Sequence, residues 1–582
     1  MRKRLLSLLI IFSLLLGGCG ASGAENPTTA QNFREFTNDL FLSTVTSDSL
    51  TLNYTLSNPE KYGIKTLPNG FPSFSKNAWK QALSATENTL SRLRQYNKNE
   101  LPANDHLLYE VLDYSLESDL QAEPFLYYSY NFDPSSGIQA QLSVLLSEFL
   151  INDKQDLDQY FTLIRSLPDY FSSLLALEQS KCTTDTLPAK STLKKTIAQC
   201  QALLSASGTD PIHKNFEKRL NKLSNISHDE KKKLLEKHKK ALQDYLLPAY
   251  QSLIQGLTKL VDRAPTDGSL ASYPNGKDYY TYMLRCKTGS SLSPKQLEME
   301  LTQMLTKAEQ DLFAIAAKAP AAFRSCESYA AHYTDPVQTL RTLRQKISTD
   351  FPKISQPNCH IRYVDVSLEN FLSPAFYLTP PIDSESVNVI YINGAARYKR
   401  SPLFSTLAHE AYPGHLYQNC YIRQKKMAPL RYVLDFPGYT EGYATYAEIY
   451  SYRYLGASKE ETEILQNNAI SLHCLYALCD LGIHYLHWNQ TQLAAFLQLH
   501  GVYADESIQS IYETIIDSPG SYLPYTVGYL EITKLKTAFQ DEMKTACPDR
   551  LFHQFLLDAG PAPYPVLHSY MKSWISAYLQ NK

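Results

Sequence analysis

The chain has 582 residues, of which 44% are hydrophobic, 12% aromatic and 20% charged, and its formal net charge is -2. At this length a folded chain buries roughly three quarters of its unfolded surface, so the composition excludes disorder, collagen and a polytopic membrane protein. With 56 Lys and Arg against 58 Asp and Glu, there is no excess of positive charge to neutralise phosphates, and nucleic acid is not expected as a partner. The 42 tyrosines suggest a cleft or surface rich in amphipathic rings.

Arg2, Lys3 and Arg4 precede an apolar run from Leu5 to Leu16, and Leu16-Gly17-Gly18-Cys19 follows at once. A positive segment, a short apolar segment and small residues before a cysteine read as a secretory signal over residues 1–18, too short for a comfortable spanning helix. This N-terminus resembles those of bacterial lipoproteins. The resemblance implies that Cys19 carries lipid, that residues 19–34 form a tether, and that the chain works outside the cytoplasm, anchored to the bacterial membrane. Nine further cysteines remain. In an exported chain a local Cys182–Cys200 disulfide is the first expectation, the odd count leaves at least one thiol free, and no zinc-knuckle spacing occurs.

From residue 35 onward the texture is mainly α. The Lys-rich stretch from His228 to Gln243 reads as a solvated helix face. Pro, Gly, Ser and Asp concentrate from Ala264 to Lys277, which places a soft boundary between an N-terminal helical lobe (35–275) and a catalytic lobe (276–582). Ser293, Pro294 and Gln296 make a capping box opening a helix that runs to about Lys318. One strand is clear, Val387 to Asn393, where β-branched and aromatic residues cluster. An exposed edge there could accept an extended peptide, with Tyr391, Asn393, Tyr412 and Tyr417 lining the cleft; an ordinary buried strand fits equally well.

After a helix start at Ser401-Pro402 comes His409-Glu410-Ala411-Tyr412-Pro413-Gly414-His415. Two histidines with a glutamate beside the first suggest a hydrolytic zinc site. The usual spacing of four residues puts both imidazoles on one face; here six residues turn the second away by about 120° on a regular helix. Pro413 breaks the helix and Gly414 frees the backbone, so a bend can return His415 to His409. A third ligand is sought in Thr440-Glu441-Gly442-Tyr443-Ala444-Thr445-Tyr446-Ala447-Glu448. There Thr440 is expected to cap a helix beginning at Glu441, and Glu448 lies on the same face. Glu441 is assigned as ligand and Glu448 to a ligand-orienting or substrate-facing role, with the exchange of the two kept open.

HEAYPGH followed by TEGYATYAE resembles the bacterial domain-of-unknown-function 885 family. Lys287-Thr288-Gly289 to Ser293-Pro294, Asp480-Leu481-Gly482-Ile483-His484 with Trp488, and Pro519-Gly520 with Tyr525 and Gly528 resemble further segments of it, from about residue 35 to 570. Tyr443 stands where the family commonly has Trp, and Tyr476 near a position where Arg is common. The resemblance implies a large helical metallopeptidase fold of gluzincin type, with a deep cleft, a small β element and peptide hydrolysis as the activity. His409, His415 and Glu441 would then hold Zn²⁺ and Glu410 would serve as general base. Tyr525 is the first choice for the oxyanion donor and His484 the second; Asp480 would orient a ring, and Tyr443 and Asn393 would support the site or face substrate. Rival readings are a zinc amidase or esterase acting on a non-peptide substrate, and a peptide-binding lipoprotein without turnover.

Overall fold

The computed structural model describes residues 30–580, except 73, 206–208, 356, 365, 367–368, 370–372, 385–386, 396–402 and 545–546. Cys19 and the segment before it lie outside the described residues. The fold is mainly α with one three-stranded sheet, and no described helix is long and apolar enough to cross a membrane.

Helices α1 (Ala30–Val45) and α2 (Ala103–Leu120) bury Phe33, Phe36, Phe41, Leu108 and Leu112. These side chains pack in one core with residues from 340 to 575. A second core gathers α3 (Lys154–Ser180), α4 (His228–Ala241) and α5 (Leu247–Val261) around Leu163, Phe216 and Leu253. The Pro- and Gly-rich boundary near 264–277 thus ends the second core, while the first helices belong with the C-terminal half. Helix α4 opens at Ser227, whose side chain accepts from Glu230 N, and buries only His238 and Ala241; its lysines face outward, as a solvated helix requires. Cys182 and Cys200 are free thiols, and no disulfide joins the nine described cysteines. Cys200 points into the apolar second core, and burial pushes its thiol up to about 12.

Helix α6 (Gly276–Thr288) stops at Gly289, whose φ of 65° suits a residue without Cβ. Helix α7 (Pro294–Lys318) then opens on the capping box of Ser293 and Gln296. Strands β1 (Cys359–Tyr363), β2 (Ala375–Leu378) and β3 (Asn388–Ile392) pair in the order β1-β3-β2. The segment expected to offer an open edge is therefore the middle strand, parallel to β1 and antiparallel to β2. Asn393 N–H bonds Pro374 O at 2.8 Å, which turns the main-chain groups of Ala375 and Tyr377 to the outer edge of β2. Tyr391 stacks on Phe376 at 4.9 Å between centroids, and Tyr412 and Tyr417 are buried in the main core. All three rings are buried.

The tyrosines instead staple the core. Buried hydroxyls donate to backbone carbonyls in the pairs Tyr54–Leu145, Tyr250–Gln139, Tyr417–Pro352 and Tyr439–Leu556, at 2.5–2.8 Å. A buried ring contributes area and its hydroxyl must find a partner; backbone carbonyls supply one.

The chain continues through α8 (Leu403–Glu410), α9 (His415–Lys425), α10 (Pro437–Ser451), α11 (Lys459–His484), α12 (Leu523–Met543), α13 (Asp549–Ala559) and α14 (Tyr564–Gln580). Helices α10 and α12 touch backbone to backbone: a Cβ on Gly442 would lie 2.4 Å from Gly528 Cα, and one on Gly528 would lie 2.1 Å from Gly438 O. Tyr564 sets its hydroxyl between the carbonyls of Gly438 and Gly528 at 2.9 and 3.1 Å. Either Gly442→Ala or Gly528→Ala must push the helices apart. Each is expected to cost about 1–3 kcal/mol, read as a lowered thermal midpoint; an unchanged midpoint would mean that the helices do not meet at these glycines.

Candidate metal centre

Helix α8 buries Phe404, Ser405, Leu407 and Ala408, which aims His409 and Glu410 at its less buried side. The expected start at Ser401-Pro402 lies outside the described residues. The helix stops at Glu410, ahead of Pro413. Gly414 N–H reaches back to Ala408 O at 2.9 Å, and a Cβ on Gly414 would sit 1.8 Å from His409 O. Tyr443 donates to Pro413 O at 3.0 Å and so fixes the break from outside. A new helix, α9, begins at His415. The chain folded back in this way sets the two imidazole centroids 4.9 Å apart at 84°.

Helix α10 starts at Pro437, not at Glu441. Proline suits the first helical position, Phe436 flanks it without a side-chain cap, and Thr440 Oγ1 donates to Phe436 O. Glu441 therefore sits more than one turn inside the helix. From there its Oε2 lies 3.5 Å from Nε2 of His409 and 3.4 Å from Nε2 of His415. Ligands about 2.0–2.1 Å from a tetrahedral zinc are about 3.4 Å from one another, so both spacings match those of ligands on one metal ion. Glu448 Oε2 instead meets the other nitrogen of His409, Nδ1, at 3.1 Å, where a carboxylate orients the ring. Ligand atoms of His409, Glu410 and His415 also lie within 4.8 Å of one another. Glu410 Oε2 accepts the main-chain N–H of Tyr377 at 2.8 Å.

Electrostatics favour a cation here. Burial opposes a charged His409, yet the hydrogen bonds of Glu441 and Glu448 and the charge of Glu410 outweigh it and push the imidazole up to about 10. Three carboxylates beside two imidazoles would suit a bound cation, and two imidazoles with one carboxylate suit zinc.

The Tyr525 ring lies 6.0 Å from that of His409, inclined by 27°, and it reaches the site because Gly528, one turn on, allows α12 against α10. His473 extends the stack at 6.5 Å from Tyr525. Sequence reasoning missed it, although the spacing of 473, 477, 480 and 484 puts all four on one face of α11.

His484 does not join the group. Its Nδ1 accepts Leu270 N–H at 3.2 Å and its Nε2 faces Ile515 O at 3.0 Å, so both nitrogens are committed to backbone and neither is left to donate to an oxyanion. Asp480 is likewise structural: it accepts from Tyr280 at 2.8 Å and from Gly520 N–H at 2.6 Å, and orients none of the candidate ligands. Tyr443 is fully buried and acts on Pro413 rather than on substrate. Asn393 spends its amide on Glu369 O and Ala395 N at 2.8 and 3.0 Å, closing the turn after β3.

Fold and cluster together define a helical protein with a candidate histidine–glutamate metal site beside a small mixed sheet. The chain belongs to the family described as "Bacterial protein of unknown function (DUF885)", which it matches over residues 61–571. Among the solved structures that share the fold are two described as lipoproteins. One, described as "the putative lipoprotein from Colwellia psychrerythraea", is 17% identical with a TM-score of 0.82, over 94% of this chain and 99% of the other. The second, "a putative lipoprotein of unknown function from Shewanella oneidensis", is 15% identical with a TM-score of 0.65, over 94% and 100%. At such identities the likeness concerns the fold alone. No curated protein is similar enough to the chain to match it.

The geometry separates the two candidate carboxylates. Glu441→Ala is expected to abolish zinc retention in equilibrium dialysis, while Glu448→Ala weakens it by about 10–100-fold. The reverse order would assign the third ligand to Glu448.

Proposed function

We propose that the protein is a membrane-tethered, extracytoplasmic zinc-dependent peptidase that hydrolyses short peptides. The observation that carries the reading is the convergence of His409 Nε2 and His415 Nε2 on Glu441 Oε2, with Glu410 beside the first histidine. His409, His415 and Glu441 would hold zinc, and the ion would supply Lewis acidity towards water and the scissile carbonyl. Glu410 takes the proton of the attacking water and hands it to the departing amine. Tyr525, beside His409, donates a hydrogen bond to the oxyanion that develops on the substrate. Glu448 holds the ring of His409 through Nδ1. Beside Glu410 the outer edge of β2 carries the main-chain groups of Ala375, while Tyr377 N–H is taken by the carboxylate itself, and this edge suits an extended peptide backbone better than a compact ester or amide.

Lipidation at Cys19 would hold the domain at the membrane. The leader of residues 1–18 supports this placement, as does the lipoprotein description of both structural neighbours.

The test uses the purified protein from Ala21 onward with a mixed peptide library read by mass spectrometry. Wild type is expected to cleave with about one zinc per chain and to stop on chelation, the fragments distinguishing exo from endo action. Glu410→Gln is expected to lose about 10²-fold or more in rate while retaining zinc. Full activity in Glu410→Gln would sink the mechanism, and zinc binding without cleavage by wild type would favour a non-peptide substrate or a binding role.

A further inference from the structure

We propose that Tyr377 is a positioning residue that fixes Glu410 relative to the histidine pair through a hydrogen-bonded strut independent of the covalent chain. The inference rests on the hydrolytic reading of Glu410 given above. The need for such a strut follows from the break after α8. Glu410 is the last residue of that helix, and His415 the first of the next. Between them the chain passes through Pro413 and Gly414, so no continuous helix sets the distance from base to second histidine.

Tyr377 bridges that gap from the sheet. It lies opposite Ile390 in the β2–β3 register, at a position whose main-chain groups turn away from β3. Its N–H meets Glu410 Oε2 at 2.8 Å. Its side chain, on a buried ring, runs toward α9: the hydroxyl donates to Asn388 Oδ1 at 2.6 Å and accepts from Asn419 Nδ2 at 2.9 Å. Asn419 is four residues beyond His415, one helical turn on. Asn388 is itself held, since its main-chain N–H and its Nδ2 both donate to Asn358 O, at 2.9 and 3.2 Å.

One residue therefore ties the carboxylate at its main-chain end and the second-histidine helix at its side-chain end. A general base acts within a narrow range of positions, and displacement by about 1 Å can cost about 100-fold in rate. The strut removes that freedom from the sheet side, through the carboxylate of Glu410.

Two readouts test it. In steady-state kinetics normalised to bound zinc, Tyr377→Phe and Asn419→Ala are each expected to lower kcat by about tenfold with KM within about twofold. The double variant should fall little further, because both cut the same path. A purely structural role would lower the thermal midpoint and leave kcat per bound zinc unchanged, and that result in both variants would overturn the proposal. The second readout does not depend on hydrolysis: amide hydrogen exchange at position 377 is expected to accelerate by about tenfold in Tyr377→Phe and in Glu410→Ala. If wild type cleaves no peptide, the hydrolytic reading fails, and the exchange rates still decide the strut: acceleration supports it, and unchanged protection in both variants overturns it.

Discussion

Gly414 lies so close beneath the carbonyl of His409 that no side chain fits between them, and the pairing of the two imidazoles depends on that closeness. On a straight helix a histidine six residues on would face another direction. The chain solves this by ending one helix, folding back against its last turn and starting another. Proline contributes the stop, glycine the close approach, and Tyr443 a hydrogen bond that keeps the turn in one shape. The cost of the lost helical hydrogen bonds is offset because Gly414 N–H finds Ala408 O and Tyr417 N–H finds Ala411 O, at 2.9 and 3.0 Å.

Around this turn every group of the candidate site stands on a helix or strand, which is how side chains are held within fractions of an ångström. Glu441 and Glu448 project from one helix, Tyr525 from the helix that packs on it glycine to glycine, and Glu410 is met by a strand. Charge follows position. Three carboxylates drive His409 toward its protonated form against the effect of burial, so the groups that surround the ring also give the site its negative character.

Much of this was legible in the residues. The capping box at Ser293, the strand before the site and the break at Pro413-Gly414 are local signals, decided by chemistry within a few residues. The group of His409, His415, Glu441 and Glu448 was readable for the same reason, since helical spacing and two flanking breaks bound the possibilities. What failed was long-range. The partners of His484 and Asp480 come from residues 270, 280, 515 and 520, and no spacing rule connects them. The strand is a local signal, but its place in the middle of the sheet depends on pairing with two segments elsewhere in the chain that no spacing rule connects to it. The abundance of tyrosine pointed to a cleft because composition cannot tell a ring that faces water from one whose hydroxyl is spent on a carbonyl. Thr440 has the side chain of a cap, but Pro437 three residues earlier has the stronger claim to a helix start.

The main core joins residues 33–116 to residues 340–575, and this sharing governs the order in which the protein can fold. A chain grows from its N-terminus, and its domains usually fold as they emerge. Here Phe33, Phe41 and Leu112 find Phe555 and Leu567 only after almost the whole polypeptide is available. The second core, drawn mostly from residues 132–260, is closed much earlier and can consolidate first. Assembly is therefore expected to proceed from the inside of the sequence outward, with the apolar faces of the first two helices uncovered in the meantime.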